Sequence, residues 1–261
     1  MKTKPMHLVM CSALVICTLL SCDSPSEAVR VELPLVVDAS RIVPVTNDLG
    51  YEVTLTSVRI ALKDPVFTIA GEVHTASPGQ RILDLLVPNV YAHPGHYQGG
   101  EVTGELSGEF VIDWIEDEGQ SLGTATLIAG EYTAANFTFI QGGDETVVAG
   151  HTAILEGSAT KDGTTTTFTI TLDSPEGRQL VGAPFTEEIK EDSTGSLHFI
   201  FSPLDELEGD TLFDSIDFES LDEDDDHMLS IEPDQEEVED AYNVLRRKFQ
   251  THDHYTIQHI D

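Results

Sequence analysis

The sequence predicts a mainly β protein, an antiparallel β-sandwich of Ig-like or related type, followed by an acidic segment and one amphipathic helix. Three observations carry this. Between about residues 41 and 203 apolar side chains recur at every second position, which puts them on one face of an extended chain. Clusters of Gly, Asn, Asp and Pro, such as QGGDE, KDG and DSPEG, punctuate these runs roughly every ten residues, with no helical pattern between. From residue 204 the composition turns acidic, and the apolar period then becomes that of a helix.

The first element, residues 1–21 (MKTKPMHLVMCSALVICTLLS), reads as an export signal. Lys2 and Lys4 form a basic start, and Leu8 to Leu20 is a 13-residue apolar run, too short for a permanent membrane span. The run leads into Leu19-Leu20-Ser21-Cys22, which resembles the lipobox of bacterial lipoproteins, with an aliphatic residue three before the cysteine and a small one just before it. The resemblance implies cleavage before Cys22, a diacylglyceryl thioether on its sulfur and an acylated new terminus, and several chains make a stable anchor. Leu20 departs from the Ala or Ser usual at the middle position. Asp23 resembles an inner-membrane retention signal of enteric bacteria, a rule that varies between groups, so inner and outer membrane both stay open. The expected location is the periplasmic face of a bacterial cell envelope. The lipid bilayer is then one partner, through Cys22, and a metal-transport or envelope protein is another. Cys11 and Cys17 leave with the signal, so the mature chain keeps no thiol for disulfide, metal or catalysis.

Residues 22–40 read as the lipidated cysteine and a polar tether leading into a first strand, and 41–203 as the sandwich. In YEVTLTSVRIAL, Tyr51, Val53 and Leu55 share a face; the apolar phase then slips to Val58, Ile60 and Leu62, which predicts a bulge or corner. TTTTFTITL sets Phe168, Ile170 and Leu172 opposite Thr167, Thr169 and Thr171, and SLHFIFS repeats the pattern with Leu197, Phe199 and Phe201. Further strands are expected at 66–74, 101–115, 123–129, 132–140, 147–158 and 179–190. Trp114, in FVIDWIED, reads as a core or rim aromatic. Residues 75–100 break the rhythm with RILDLLVPNVY and the turn YAHPGHYQGG, and a connection this long usually has a purpose. Ile82, Leu83, Leu85 and Leu86 read as a helical turn capping the sandwich.

Residues 204–261 form the last unit. Positions 205–240 hold 18 acids and no Lys or Arg. A helix is expected over 235–250, with Val238, Ala241, Tyr242, Leu245 and Phe249 on one face packed on the sandwich. Asp234 with Glu237 resembles a capping box, and Arg246, Arg247 and Lys248 sit where the helix dipole favours cations.

Net charge narrows the function. The full chain carries a formal −34; without residues 1–21 it has 11 basic against 47 acidic side chains, or −36. Such a field concentrates cations and repels phosphate, so no nucleic-acid partner is expected.

Histidines supply the first candidate site. His93 and His96 flank Pro94-Gly95 in a rigid turn, His252 and His254 form a second pair, and His74 ends the strand before the long loop. The turn can present two imidazoles to one ion at little ordering cost, and an HxH pair in an extended segment puts both rings on one side. Imidazole without sulfur suits zinc, copper or nickel. The pairs make a four-nitrogen site if the C-terminal tail folds beside the loop, with Glu72 or Asp253 as a further ligand or an orienting partner. His151 and His198 read as structural or solvent-facing. A plain surface turn and a frayed tail are the competing reading of the pairs.

The second candidate is Asp222-Glu-Asp-Asp-Asp-His-Met-Leu-Ser-Ile-Glu232. Asp222, Asp224, Asp226, Leu229 and Ser230 fall at positions 1, 3, 5, 8 and 9 of an EF-hand-type calcium loop. His227 stands where glycine makes the sharp turn, and Pro233 where the bidentate glutamate belongs. A weak calcium loop and a solvated acidic linker both fit. No GxSxG, phosphate loop, HExxH or dinucleotide fingerprint occurs, so no enzyme is expected.

TSVRIALKD, GTATLIAGEYTAANFTF and the corner Ala129-Gly130-Glu131-Tyr132 are similar to exported β-sandwich lipoproteins, including the copper-handling partner type of methanobactin operons. The likeness covers about a third of the chain and implies extracytoplasmic metal handling, with no ligand carried over. The sequence thus leads to a membrane-anchored lipoprotein that binds zinc, copper or nickel through histidines for capture, delivery or sensing. The alternative is a structural or interaction lipoprotein whose acidic segment docks a partner or binds calcium weakly.

Overall fold

In a computed structural model, residues 28–69, 101–222, 224 and 226–261 are described. The fold is mainly β. Its first strands are β1 (Arg30–Asp38), β2 (Val45–Thr46) and an 18-residue β3 (Glu52–Ile69). Then come β4 (Val102–Glu105), β5 (Glu109–Asp113), β6 (Ser121–Ile128), β7 (Gly130–Phe139), β8 (Ala153–Lys161) and β9 (Thr164–Leu172). β10 (Gln179–Pro184), β11 (Glu188–Ile189) and β12 (Ser196–Phe201) complete the alternating region. The C-terminal part adds a four-residue helix α1 (Phe218–Leu221), strand β13 (Met228–Ile231), helix α2 (Glu239–Phe249) and strand β14 (Tyr255–Ile260). One sheet path runs β13-β9-β8-β3-β4-β6-β1-β12-β14, and β2, β5, β7, β10 and β11 branch from it.

β3 is the spine. Its first half pairs with β8, and its second half with β7 and β4; β5 lies along the middle. The phase slip expected after Leu55 is present as an irregularity between Leu55 and Ser57 against β8. The expected strand 101–115 is two strands, because the chain turns at Leu106–Gly108 with Gly108 at φ 145°. That over 147–158 begins only at Ala153, after turns through Ala149 and Gly150 at positive φ. The expected strand 66–74 is described as far as Ile69, and the capping turn at 82–86 lies outside the described residues.

One row of backbone fixes where two segments leave the fold. Ile69 N–H donates to Glu101 O, Gly104 is level with Leu127 and Phe67, and Ala129 N–H donates to Val29 O. The roots of residues 1–27 and of residues 70–100 therefore lie side by side, at the N-terminal end of β1.

The core is a single apolar cluster running from Val31 to Ile257. Trp114 is fully buried in it, with Nε1–H donating to Phe199 O at 3.1 Å. Val238, Ala241, Tyr242, Leu245 and Phe249 are all buried, and Arg246, Arg247 and Lys248 occupy the last turn of α2. The capping box does not form. Asp234 sits at φ 67°, Gln235 turns its side chain back to Glu232 N, and a 3-10 turn (Glu236–Val238) leads into α2 without a side-chain cap.

Candidate functional site

The C-terminal acidic segment is built from apolar anchors spaced among its carboxylates. Leu212, Phe213, Ile216, Phe218 and Ile231 are completely buried, and Leu229 nearly so. Phe218 packs edge-on to Tyr51 at 5.4 Å and tilts over Phe168 at 5.2 Å, which seats α1. Asp217 caps that helix through Ser220 N and accepts from Tyr51 Oη at 2.6 Å, which holds its carboxyl below the usual range. β13 adds to β9 in parallel register, Leu229 beside Phe168. The reading of this stretch as a solvated linker is therefore corrected: alternating burial in Met228–Ile231 makes an edge strand.

Between α1 and β13 lies the candidate calcium turn. One ligand oxygen each of Asp222, Asp224 and Asp226 falls within 4.8 Å of the others. Asp222 is the helix C-cap and is buried, with 3% of its side chain exposed; Asp224 and Asp226 are exposed. Asp222 Oδ2 accepts the His227 amide at 2.9 Å, and Asp226 Oδ1 accepts the Met228 amide at 2.8 Å. Asp222 Oδ1 is buried with no hydrogen-bond partner among the described residues. His227, the residue standing where glycine was required, adopts φ 63° and makes the turn nonetheless. At the other end the departure stands: Glu232 accepts from Ser230 Oγ at 2.8 Å.

A second acidic group, Asp205, Glu208 and Asp210, was not singled out in the sequence. Its signal was Gly209 in EGD, a loop glycine at φ 80° that folds the acids together. Here the group is met from within and from α2: Asp205 Oδ1 accepts the amides of Leu207 and Glu208, and Lys248 Nζ reaches Asp210 at 3.2 Å.

The histidines divide. His74, His93 and His96, like Glu72 and the lipidation candidate Cys22, lie outside the described residues. His252 and His254 occupy a 3-10 turn (His252–His254), not the extended segment expected. With three residues per turn, residues i and i+2 point apart rather than to one side. His252 Nδ1–H meets Asp253 Oδ1 at 2.6 Å, which raises the imidazole pKa and lowers that of the carboxyl. His254 is 3% exposed beside Phe201; its Nδ1–H donates to Ser202 O at 3.0 Å, and desolvation lowers its pKa. Both stand beyond the C-terminal end of β1, since Ser202 follows Phe201 and β12 runs parallel to β1 with Ile200 beside Asp38. The root of the 70–100 segment is at the other end of that strand. His198 and His151 each meet a carboxylate, Asp38 at 2.9 Å and Asp173 at 3.1 Å.

No protein-family model, curated protein or solved structure matches this chain.

Proposed function

We propose that this chain is a lipid-anchored, extracytoplasmic, non-enzymatic binding protein of the bacterial envelope whose ligand is a cation held by oxygen. The observation that carries the reading is the ordered acidic layer. The described residues of 204–240 are pinned by completely buried anchors such as Phe213 and Phe218, so their carboxylates are held in place rather than free in a solvated chain. A fixed array of carboxylates inside a protein of formal charge −34 draws cations in and lowers the ordering cost of holding one. Anchorage rests on the charged start, apolar run and Cys22 lipobox. The finer layering we read as a sandwich, because β3 exchanges β8 for β7 as its partner near Leu62 and so serves two sheets.

The transition-metal reading is the second one. It rests on His93 and His96 with His74, and on His252, which Asp253 orients in the way a carboxylate orients a ligating imidazole. His254 contributes little to it, since its ring is buried beside Phe201.

One experiment decides between them. The full chain in detergent micelles is titrated calorimetrically with calcium, magnesium, zinc, copper and nickel at about 0.15 M salt, which screens diffuse charge. A variant with His93→Ala and His96→Ala is titrated beside it. Saturable calcium binding that the double variant retains is the expected result. Saturable zinc, copper or nickel binding lost in the double variant would favour the second reading, and no saturable binding of any of the five ends both.

A further inference from the structure

We propose that Asp222, Asp224 and Asp226, gathered between α1 and β13, are the protein ligands of a calcium site. The inference rests on the cation-binding reading above and deepens it by naming the ion and the residues. A cluster of surface acids alone would mean nothing, since this chain has many. The observation that separates this one is the Asp222 carboxylate, 97% buried by side chain, with Oδ1 accepting no hydrogen bond from any of the described residues. Burying a carboxylate oxygen without a partner is costly, and folds keep such an atom where something else satisfies it. Two carboxylates, Asp224 and Asp226, are its neighbours in the cluster, and like charges gathered this closely call for a positive one. Among the described residues, the ion pair of the cluster is with His227, whose Nδ1 is 3.6 Å from Asp222 Oδ2, the other oxygen of that carboxylate.

Size and chemistry select the ion. Calcium holds oxygens at about 2.3–2.6 Å, so two ligands on opposite sides of one ion stand at most about 5 Å apart. The three ligand oxygens lie within 4.8 Å of one another, which is compatible with that span. All three are hard carboxylate oxygens, which favour calcium over copper or zinc. Magnesium demands tighter octahedral order than two exposed, hydrated carboxylates provide. The turn is also set in advance: the His227 and Met228 amides fix Asp222 and Asp226 from within, and β9 holds the far side, Thr167 N–H donating to His227 O at 2.9 Å. With Glu232 engaged by Ser230, the described residues offer no bidentate closing ligand, so water completes the shell. The dissociation constant belongs in the weak class of extracellular modules, about 10⁻⁴–10⁻³ M.

The test uses the full chain in micelles, calcium as the probe, and thermal melting beside calorimetry. Asp222→Asn keeps an acceptor for the His227 amide but removes the buried charge, and Glu145→Gln is an exposed control elsewhere. The expected result is one saturable calcium per chain in wild type and Glu145→Gln, weakened at least tenfold in Asp222→Asn. Calcium should also raise the melting temperature of wild type and not of Asp222→Asn, while in chelator Asp222→Asn melts no lower than wild type. Should that variant fold poorly, the exposed Asp226→Asn replaces it and must show the same loss of affinity. Calcium binding unchanged in both variants overturns this site and leaves the broader cation reading standing. Absence of saturable calcium in wild type overturns the site as well; the broader reading falls with it only if no other divalent ion saturates.

Discussion

At the scale of single residues, the histidines of the last turn pull in opposite directions with pH. His254 is kept neutral by burial, its pKa below the ordinary 6.5. The unfolded chain takes up a proton below that value while the folded chain resists it, so this contribution is intact above pH 6.5 and is lost as pH falls toward the folded value. His252 has a raised pKa through Asp253, so its stabilisation is full below pH 6.5 and fades as pH rises through the folded value. His254→Gln keeps a donor within reach of Ser202 O but does not titrate. Its denaturation midpoint should therefore lose the decline seen in wild type as pH drops from 6.5, whereas His252→Asn should keep it; denaturant melts at several pH values read both. The spacing HxH announced these residues but not their surroundings. Whether an imidazole meets solvent or a phenylalanine depends on a 3-10 turn whose cause is β14 docking on β12, and no local pattern encodes that. The acid triplet was better exposed in the sequence, because a ligand spacing of two is itself local; the burial of Asp222 was not.

Among elements, the alternating strands were legible where three apolar positions kept phase, and the slip after Leu55 was legible because a bulge must shift that phase. Gly157 explains how the sheet accommodates it. A Cβ there would lie 2.3 Å from Thr54 O and 2.7 Å from the Phe168 ring, so β8 crosses the irregularity in β3 only without a side chain. Gly157→Ala should destabilise by about 1–3 kcal/mol, the range for overpacking, as a lower midpoint in chemical denaturation. The corner between β6 and β7 has its own fastening: Tyr132 Oη donates to Ile128 O at 2.8 Å and accepts from Ile128 N–H at 3.1 Å. The strands β13 and β14 escaped notice for a shared reason. Each is short and follows a run of carboxylates or histidines, so composition outweighed the brief alternation of Leu229 with Ile231 and of Tyr255 with Ile257. The helix was readable from its stripe, but its cap was not, since Gln235 folded back on the strand before it.

For the whole molecule, Tyr255 is where sheet and helix are joined. Its ring lies among Phe137, Phe139, Phe199, Phe201 and Phe249, at centroid distances from 5.2 to 6.4 Å. Its hydroxyl donates to Phe249 O at 3.1 Å, and burial raises its pKa well above 10. Tyr255→Ala should cost about 3–5 kcal/mol and loosen α2 and β12 together. Trp114, the sole tryptophan, sits 6.5 Å from that ring and reports the change as a red-shifted emission at lower denaturant.

The parallel ladder between β1 and β12 carries a further consequence, one about time. Leu35 must find Leu197 and Asp38 must find Ile200, partners some 160 residues apart, before β14 has an edge to join. Contacts so remote along the chain make the search slow, because the entropy of closing so large a loop is lost before any pairing repays it. A nascent polypeptide of this design stays open, its apolar strands unsheltered, until nearly all of it has been made. It is a poor subject for folding on the ribosome while synthesis continues.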